Sequence, residues 1–257
     1  MTPIAPRSEL SDTTDWMSGG QVIQDPFSEE YFWFDESEWN SDPLESWDAH
    51  TLDSARDNWG WDEWGDLCVF RPHGYEPAYR YPLLVWLTLE ETPDHALRDW
   101  FPDMSDRNYV AVGVRIRRTD SVARNADQVV TSIREVAALY GIHPSRVWIA
   151  GQDAAADWAL RLLPSVSKLV QGVISITPET LDPVEQHASQ ASRGKQLFLV
   201  TDDDDEAELA MSLVEYWEMS EGQGQCLAVE SVSTSRLDIC RELNEWLMRQ
   251  VCTPTQS

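Results

Sequence analysis

The chain passes from a strand pattern into a helix pattern within nine residues, Val147-Trp148-Ile149-Ala150-Gly151-Gln152-Asp153-Ala154-Ala155. The first four residues are apolar, a pattern typical of a strand that is covered on both faces. A helical pattern over residues 154–163 begins after only three further residues. This short turn predicts that Asp153 lies at the carboxyl end of a sheet strand, the edge where open α/β proteins bind ligands.

On both sides of this turn, short apolar runs alternate with helical patterns, which predicts a mostly parallel sheet with crossover helices. Strands are predicted over residues 67–71, 83–87, 110–114, 147–150, 170–176, 196–200 and 226–229. Helices are predicted over residues 125–140, 154–163 and 206–219, with a last one lined by Leu237, Cys240, Leu243 and Leu247. Gly141 is the expected C-terminal stop of the first of these helices.

The chain is strongly acidic, with 45 Asp and Glu against 19 Lys and Arg in 257 residues and a net charge of -26. This field repels phosphate backbones and anionic lipids, so we expect no nucleic-acid partner and no membrane partner. No run approaches the roughly 20 apolar residues that span a bilayer, and the first ten residues lack a signal-peptide layout. These features predict a soluble, cytoplasmic protein.

Residues 1–66 differ in composition from the rest of the chain. They contain 17 acidic residues against Arg7 and Arg56, and seven of the 13 tryptophans. We therefore predict an acidic, Trp-rich extension (1–66) that is partly disordered or packed on the core, a main domain (67–252) and a short tail (253–257). The extension is either a solvated segment or, through residues 29–64, a binding segment for a protein partner with a basic, apolar groove.

Metal and cofactor motifs are missing from the sequence. Its four cysteines lack the C-x-x-C spacing of a zinc or redox site and are too sparse for a disulfide scaffold. The acidic run over residues 202–205 lacks the ligand spacing and the glycine of an EF-hand loop. We therefore predict no cofactor and no metal site.

Two runs carry a family resemblance: Tyr81-Pro82-Leu83-Leu84-Val85-Trp86-Leu87, and Gly141-Ile142-His143-Pro144-Ser145-Arg146-Val147-Trp148-Ile149-Ala150-Gly151. They resemble the α/β-hydrolase superfamily, in particular its serine esterase, phospholipase/carboxylesterase and dienelactone-hydrolase-like group. The likeness covers residues 67–252, and the Pro-x-Arg-Val run before the glycine is its most specific part. It implies a mostly parallel sheet with helices on both faces and, in active members, a Ser-His-Asp triad.

The resemblance places Asp153 at the position of the nucleophile. In the family this turn reads G-x-S-x-G, and its serine has a strained backbone. Here Asp153 replaces the serine and Ala155 replaces the second glycine, and the flanking residues Gln152 and Ala154 are expected to line the binding site. Asp tolerates positive φ, so we expect the turn geometry to persist without a hydroxyl to acylate. An Asp here also resembles haloalkane dehalogenases and epoxide hydrolases, whose carboxylate attacks an sp3 carbon.

The histidine and the acid of the triad are not matched clearly. The family places its histidine between the last strand and the last helix, where this chain has Ser233 beside Thr234. No histidine follows His187, which lies in a connection that often forms a lid and is either a substitute base or a solvated side chain. Asp205 best matches the acid, but its neighbouring aspartates leave the register open, and Asp205 with Glu208 also fits a helix cap.

The oxyanion loop also departs from the family pattern. The run Thr88-Leu89-Glu90-Glu91 replaces a His-Gly turn whose N–H groups bind the oxyanion. Thr88 and Glu90 are therefore expected to line the site. A carboxylate about 4 Å from a developing oxyanion would destabilise it by about 4 kcal/mol at an effective dielectric near 20.

Four arginines, Arg115, Arg117, Arg118 and Arg124, follow a predicted strand at the same edge of the sheet. They either balance nearby carboxylates or form an anion site, and the nearest anion is the acidic segment 29–64. Because the nucleophile, histidine and oxyanion positions all depart from the pattern, we predict a binding or regulatory pseudoenzyme. The alternative is an active hydrolase, esterase-like or of the epoxide or haloalkane type, that uses Asp153.

Overall fold

The computed structural model describes residues 60–64, 67–105, 107–180, 193–201, 204–228 and 235–252. These residues contain the strands β1 (Gly60–Trp64), β2 (Leu67–Arg71), β3 (Tyr81–Thr88), β4 (Val110–Arg115), β5 (Ile142–Gln152), β6 (Gly172–Ile176), β7 (Gln196–Thr201) and β8 (Gln223–Ala228). The helices are α1 (Pro93–Met104), α2 (Val122–Leu139), α3 (Ala154–Val166), α4 (Asp204–Met219) and α5 (Arg236–Cys252). None of them is long and apolar enough to cross a bilayer.

All eight strands belong to one sheet, in the order β1-β2-β4-β3-β5-β6-β7-β8. The pairs β1/β2 and β2/β4 are antiparallel, and every other neighbouring pair is parallel. The chain runs outward from β3 to β4 and then returns to the other side of β3 to form β5. This reversal places the carboxyl ends of β3 and β5 at the crevice where open α/β sheets bind ligands.

Helices cover both faces of the sheet, as predicted. One face packs on α1 and α5 through a core that includes Trp86, Trp148, Phe198 and Leu243, each at most 1% exposed. The alternate strand residues, such as Val85 and Ile149, are fully buried on the opposite face, because side chains alternate along a strand. On that side α3 contacts β5 and β6, while α4 contacts β7 and β8.

The arginine-bearing loop after β4 is tied to the start of α2. Asn125, which is fully buried, accepts a hydrogen bond from the N–H of Arg117 (3.2 Å) and donates one to its carbonyl (3.0 Å). Ser121 caps α2 by accepting a hydrogen bond from the N–H of Arg124 (3.2 Å). The loop therefore has a defined backbone path at the carboxyl edge of the sheet.

Several element boundaries differ from the sequence patterns. Strand β1 lies inside the predicted extension, and helix α1 was not predicted, although Pro93 suits a first helical turn. Helix α2 begins three residues earlier than predicted, because Ser121 provides its cap. Strand β5 begins five residues earlier, because Ile142 pairs with Tyr81 before the register shifts.

The prediction that Gly141 is the C-terminal stop of helix α2 was wrong. Helix α2 ends at Leu139, and Tyr140 is already extended, with φ at -128°. Among the described glycines only Gly74 and Gly194 have positive φ. A Cβ added to Gly141 would lie 2.6 Å from the carbonyl oxygen of Tyr79, so this glycine permits a close backbone approach and does not supply a left-handed turn.

This difference can be tested with asparagine, which tolerates left-handed backbone but still has a Cβ. We expect Gly141→Asn to lower the free energy of unfolding by about 1–3 kcal/mol, as overpacking usually does. Gly74→Asn is the matched control, since Gly74 has φ of +68° and no heavy atom within 4 Å of its added Cβ. Urea unfolding of both variants measures the difference. Equal stability of the two would contradict the close-approach explanation.

Candidate functional site

The turn between β5 and α3 has a strained backbone at Asp153. Its φ is 51° and its ψ is -131°, a combination that residues with a Cβ rarely adopt. The N–H of Asp153 donates to the carbonyl of Ile176 at the end of β6 (2.9 Å), and its own carbonyl accepts from the N–H of Ala156 (2.8 Å). The expected elbow geometry is therefore present, with an aspartate at its tip.

Small residues on either side of Asp153 allow this turn to form. A Cβ added to Gly151 would lie 2.4 Å from the carbonyl oxygen of Ala155, a separation that real Cβ atoms do not show. Ala154 and Ala155 are buried at 7% and 5% exposure. The strand and the helix therefore approach each other too closely for any side chain at residue 151.

The carboxylate of Asp153 has a hydrogen-bond partner on the neighbouring strand. The Oγ1 of Thr177, the first residue after β6, donates to Asp153 Oδ1 at 2.8 Å. Thr177 also has positive φ, at 46°, and its N–H donates to the carbonyl of Val200 on β7 (2.8 Å). Thr177 was not predicted from the sequence, although its place directly after a parallel strand is a signal for a site residue.

A second carboxylate, Asp157, lies one helical turn beyond Asp153. It accepts hydrogen bonds from the N–H (3.1 Å) and the Oγ1 (3.3 Å) of Thr180 in the loop after β6. Partial burial raises the pKa of Asp157, and Glu179 adds to the increase. The hydrogen bonds from Thr180 act in the opposite direction. Asp157, Glu179 and Thr180 were not predicted from the sequence.

In the oxyanion loop after β3, one backbone N–H group forms a hydrogen bond within the loop itself. Thr88 is 5% exposed, and its Oγ1 accepts a hydrogen bond from the N–H of Glu90 (3.1 Å). The Thr88 carbonyl accepts from the N–H of Ile116 (2.9 Å). The Glu90 side chain is 62% exposed and lies 4.0 Å from Nδ1 of His95. The structure therefore places Thr88 inside the loop and the carboxylate of Glu90 in solvent.

Gln152 connects the elbow to helix α1. Its Oε1 accepts a hydrogen bond from Nε1 of Trp100 at 2.9 Å. The Trp100 ring in turn packs against Trp86 of β3, with ring centroids 5.2 Å apart. The predicted binding residue Gln152 therefore also positions α1 beside the turn.

The arginines after β4 are mostly paired with carboxylates. Arg115 lies 3.6 Å from Glu91, Arg118 lies 3.4 Å from Glu179, and Arg124 lies 3.5 Å from Asp120. These pairs favour the charge-balancing interpretation for three of the four arginines. The Arg118–Glu179 pair also joins the loop after β4 to the loop after β6.

Arg115 and Arg117 line a separate open cleft of about 940 Å³ along helix α2. Glu91 and Glu135 also line it, so its charge is mixed. Asp153, Gln152 and Ala154 are not part of its lining. Among the described residues, this cleft therefore does not join the elbow to these two arginines.

Most of the other predicted site positions lie outside the described part of the chain. Asp205 is the second residue of α4, which begins two residues before the predicted start. Ser233, Thr234, His187, Asp202 and Asp203 lie outside the described residues, as do residues 29–59. Within the described residues, no histidine hydrogen-bonds to Asp153, and no group of three potential ligand residues could hold a metal ion.

No family model and no curated protein matches the sequence. Solved structures do match its fold. Thermogutta terrifontis esterase 2 phosphorylated by paraoxon has a TM-score of 0.55 at 15% identity, with 74% of this chain and 90% of that chain covered. Est1E from Butyrivibrio proteoclasticus has a TM-score of 0.55 at 9% identity, with 76% and 99% covered.

An esterase from Rhizomucor miehei has a TM-score of 0.54 at 11% identity, with 91% of this chain and 94% of that chain covered. At such low identities the likeness concerns the fold and not the reaction. It agrees with the strand order, the strained turn and the helices on both faces described above. The chain therefore has the α/β-hydrolase fold.

Proposed function

We propose that this chain is a non-catalytic binding or regulatory protein built on the α/β-hydrolase fold. The proposal rests on the identity and the hydrogen bonding of the elbow residue, Asp153. Asp153 occupies the nucleophile position, has no hydroxyl to acylate, and accepts a hydrogen bond from Thr177 at 2.8 Å. An aspartate held in this way is a recognition group for a ligand and not an acyl acceptor.

The oxyanion loop supports the same proposal. Acyl transfer requires N–H groups that are free to bind the developing negative charge. The N–H of Glu90 is already bound to Thr88 Oγ1 at 3.1 Å. An oxyanion could use this donor only if the internal hydrogen bond broke first, so the loop is not preorganised for the reaction.

The histidines of the described residues support it as well. His143 lies near the start of β5, at the opposite end of the strand from Asp153. His95 lies in the first turn of α1 with Thr92 and Glu90 as neighbours. His73 lies in the turn after β2. None of the three hydrogen-bonds to the elbow carboxylate, so none is placed to activate a water against an ester formed there.

The charge around the elbow indicates the class of ligand. Asp153 and Asp157 lie one helical turn apart, and Glu179 on the next loop is already paired with Arg118. Within the described residues neither carboxylate forms an ion pair, although Arg161 one turn further along α3 attracts Asp157. Their charge favours a neutral or cationic ligand over an anionic one. A cationic ligand would find hydrogen-bond acceptors at both carboxylates.

One observation favours a second candidate, a hydrolase with Asp153 as nucleophile. The strained backbone at φ 51° and ψ -131° persists although the serine is absent, and strain of this kind often accompanies reactivity. In that reaction a carboxylate oxygen would bond to an sp3 carbon as the halide or epoxide oxygen leaves. Water would then hydrolyse the ester, with His187 as the candidate base.

An activity screen distinguishes these two functions. The full-length chain, Asp153→Asn and Asp153→Ser are each incubated with short-chain aryl esters, epoxides and haloalkanes. We expect no turnover by any of the three, because Asp153→Ser restores the nucleophile without a base or a free oxyanion donor. Intact-mass spectrometry of the wild type after incubation is expected to show no adduct.

Turnover that Asp153→Asn abolishes, or an alkyl ester on Asp153, would support the second candidate and overturn the proposal. Restored esterase activity in Asp153→Ser would show that only the nucleophile is missing. That result would also overturn the argument from the oxyanion loop.

The strain at Asp153 makes a separate prediction about stability. Glycine adopts positive φ freely, whereas alanine keeps the Cβ that causes the strain. We expect Asp153→Gly to be more stable than Asp153→Ala by about 1–3 kcal/mol, the usual cost of such a backbone conformation. Both variants lose the carboxylate, so the difference isolates the backbone. Denaturant unfolding measures it, and an alanine variant of equal or greater stability would contradict the assigned strain.

A further inference from the structure

The last strand of the sheet, β8, has an edge that carries no partner strand. It is the end member of the strand order and pairs only with β7. Its sequence, Gln223-Gly224-Gln225-Cys226-Leu227-Ala228, contains no charged residue and no proline, the features that usually protect an edge. Within the described residues, this edge is therefore open to a further strand.

The register shows which backbone groups point outward. The N–H of Gln223 donates to the carbonyl of Lys195, where β7 begins. Because backbone groups alternate in direction along a strand, Gln225 and Leu227 also face β7. The N–H and carbonyl groups of Gly224, Cys226 and Ala228 then face away from the sheet. They form the hydrogen-bonding row that an added strand requires.

Helix α4 lies beside this edge. It contacts β8 more extensively than β7, and a Cβ added to Gly224 would lie 2.9 Å from Cγ1 of Val214. The buried residues Ala210, Leu213, Val214 and Trp217 define its inner face. Met211 and Glu218 lie three and four residues from Val214, on the same side of the helix, so this exposed side is the one that adjoins the edge strand.

The exposed surface of α4 has one apolar and one acidic stripe at helical spacing. The apolar stripe contains Leu209, Tyr216 and Met219, of which Leu209 and Met219 are 56% and 76% exposed. The acidic stripe contains the exposed residues Glu208, Glu215 and Glu218, with Met211 (50% exposed) between them. Helix α4 contains six acidic residues and no Lys or Arg.

Most of the exposed apolar side chains lie on α4. Five large apolar residues are markedly exposed among those described: Tyr79, Leu209, Met211, Met219 and Leu237. Three of the five lie on α4, whereas Leu237 lies at the start of α5 beside Arg236, which pairs with Asp103 of α1 at 2.9 Å. Helix α5 also reaches β8, since Arg249 donates to the Gln225 side chain at 3.2 Å. Clustered exposure of this kind is typical of a protein-binding surface.

We propose that the outer edge of β8, together with the acidic stripe of α4, binds an extended basic and apolar peptide segment of another protein. The segment adds to the sheet as a ninth strand through the outward groups of β8. Its lysines or arginines pair with Glu208, Glu215 and Glu218, and its apolar side chains contact Met211 between them. This surface is separate from the elbow and does not depend on the function proposed for it.

The charge of the surface identifies the partner as basic and argues against a second copy. Two copies joined through β8 would bring together two α4 helices whose charged residues are all acidic. The net charge of each chain is -26. Like charges at such short range oppose association. A basic segment gains attraction from the same carboxylates and is guided to the edge by their field.

Binding can be measured by fluorescence anisotropy with the full-length chain and a labelled peptide in which lysine alternates with valine. A second peptide of the same sequence is N-methylated at alternate residues, so that it keeps its charge but cannot donate along one edge. We expect the first peptide to bind and the methylated one to bind at least about tenfold more weakly. Equal binding of both would overturn strand addition.

Two sets of charge variants test the role of α4. The first combines Glu208→Gln, Glu215→Gln and Glu218→Gln. The control combines Glu76→Gln, Asp127→Asn and Glu135→Gln, three exposed acids away from β8 that give the same net charge. We expect about tenfold weaker binding for the first set and little change for the control. Equal losses would show non-specific attraction and overturn the proposal.

Proline at Cys226 tests the edge itself. Cys226→Pro removes one outward N–H and no bond to β7, a change that edge strands tolerate. Cys226→Ala is the control for the lost thiol. We expect weaker binding for the proline variant alone, with thermal melts confirming that both fold. If the proline variant does not fold, the comparison with the methylated peptide tests strand addition instead. A dimer of the free chain that excludes the peptide would overturn the proposal.

Discussion

The close approach of β5 and α3 at Gly151 is the constraint on which the centre of this structure depends. No Cβ fits between Gly151 and the carbonyl of Ala155, so the chain must reverse within two residues. That reversal requires positive φ at Asp153 and directs its N–H to the end of β6. The ends of β5, β6 and β7 are then linked through Asp153 and Thr177. The carboxyl edge of the sheet is therefore ordered by backbone packing and does not need a catalytic residue.

The fold could be predicted from the sequence because its apolar runs are long and its turn residues are specific. Residues 83–87 and 110–114 lie within the strands that the structure contains, and Asp153 lies at the predicted turn. Strand β1 escaped prediction because its residues, Gly60–Trp64, mix aromatic and acidic side chains without a clear alternation. Gly141 was predicted as a helix stop because it follows a helical pattern. The sequence does not show that the carbonyl of Tyr79 lies beside it, which is the reason a glycine is needed.

The candidate site was less predictable than the fold, since it depends on contacts between distant residues. Thr177 and Thr180 bind Asp153 and Asp157 from a loop more than twenty positions away. Arg118 pairs with Glu179 across 61 positions. A sequence pattern locates the end of a strand but does not show which side chains meet there. Hydroxyl and carboxyl residues after neighbouring parallel strands are the signal that could have suggested these pairs.

The hydrogen bond between Thr88 and the N–H of Glu90 has a consequence for how the loop after β3 responds to substitution. The Thr88 side chain binds the backbone of Glu90, and the Thr88 carbonyl accepts from the N–H of Ile116. Neither hydrogen bond uses the side chain of Glu90 or Glu91, and these side chains are 62% and 89% exposed. The path of the loop therefore depends on Thr88 and is independent of the two carboxylates beside it.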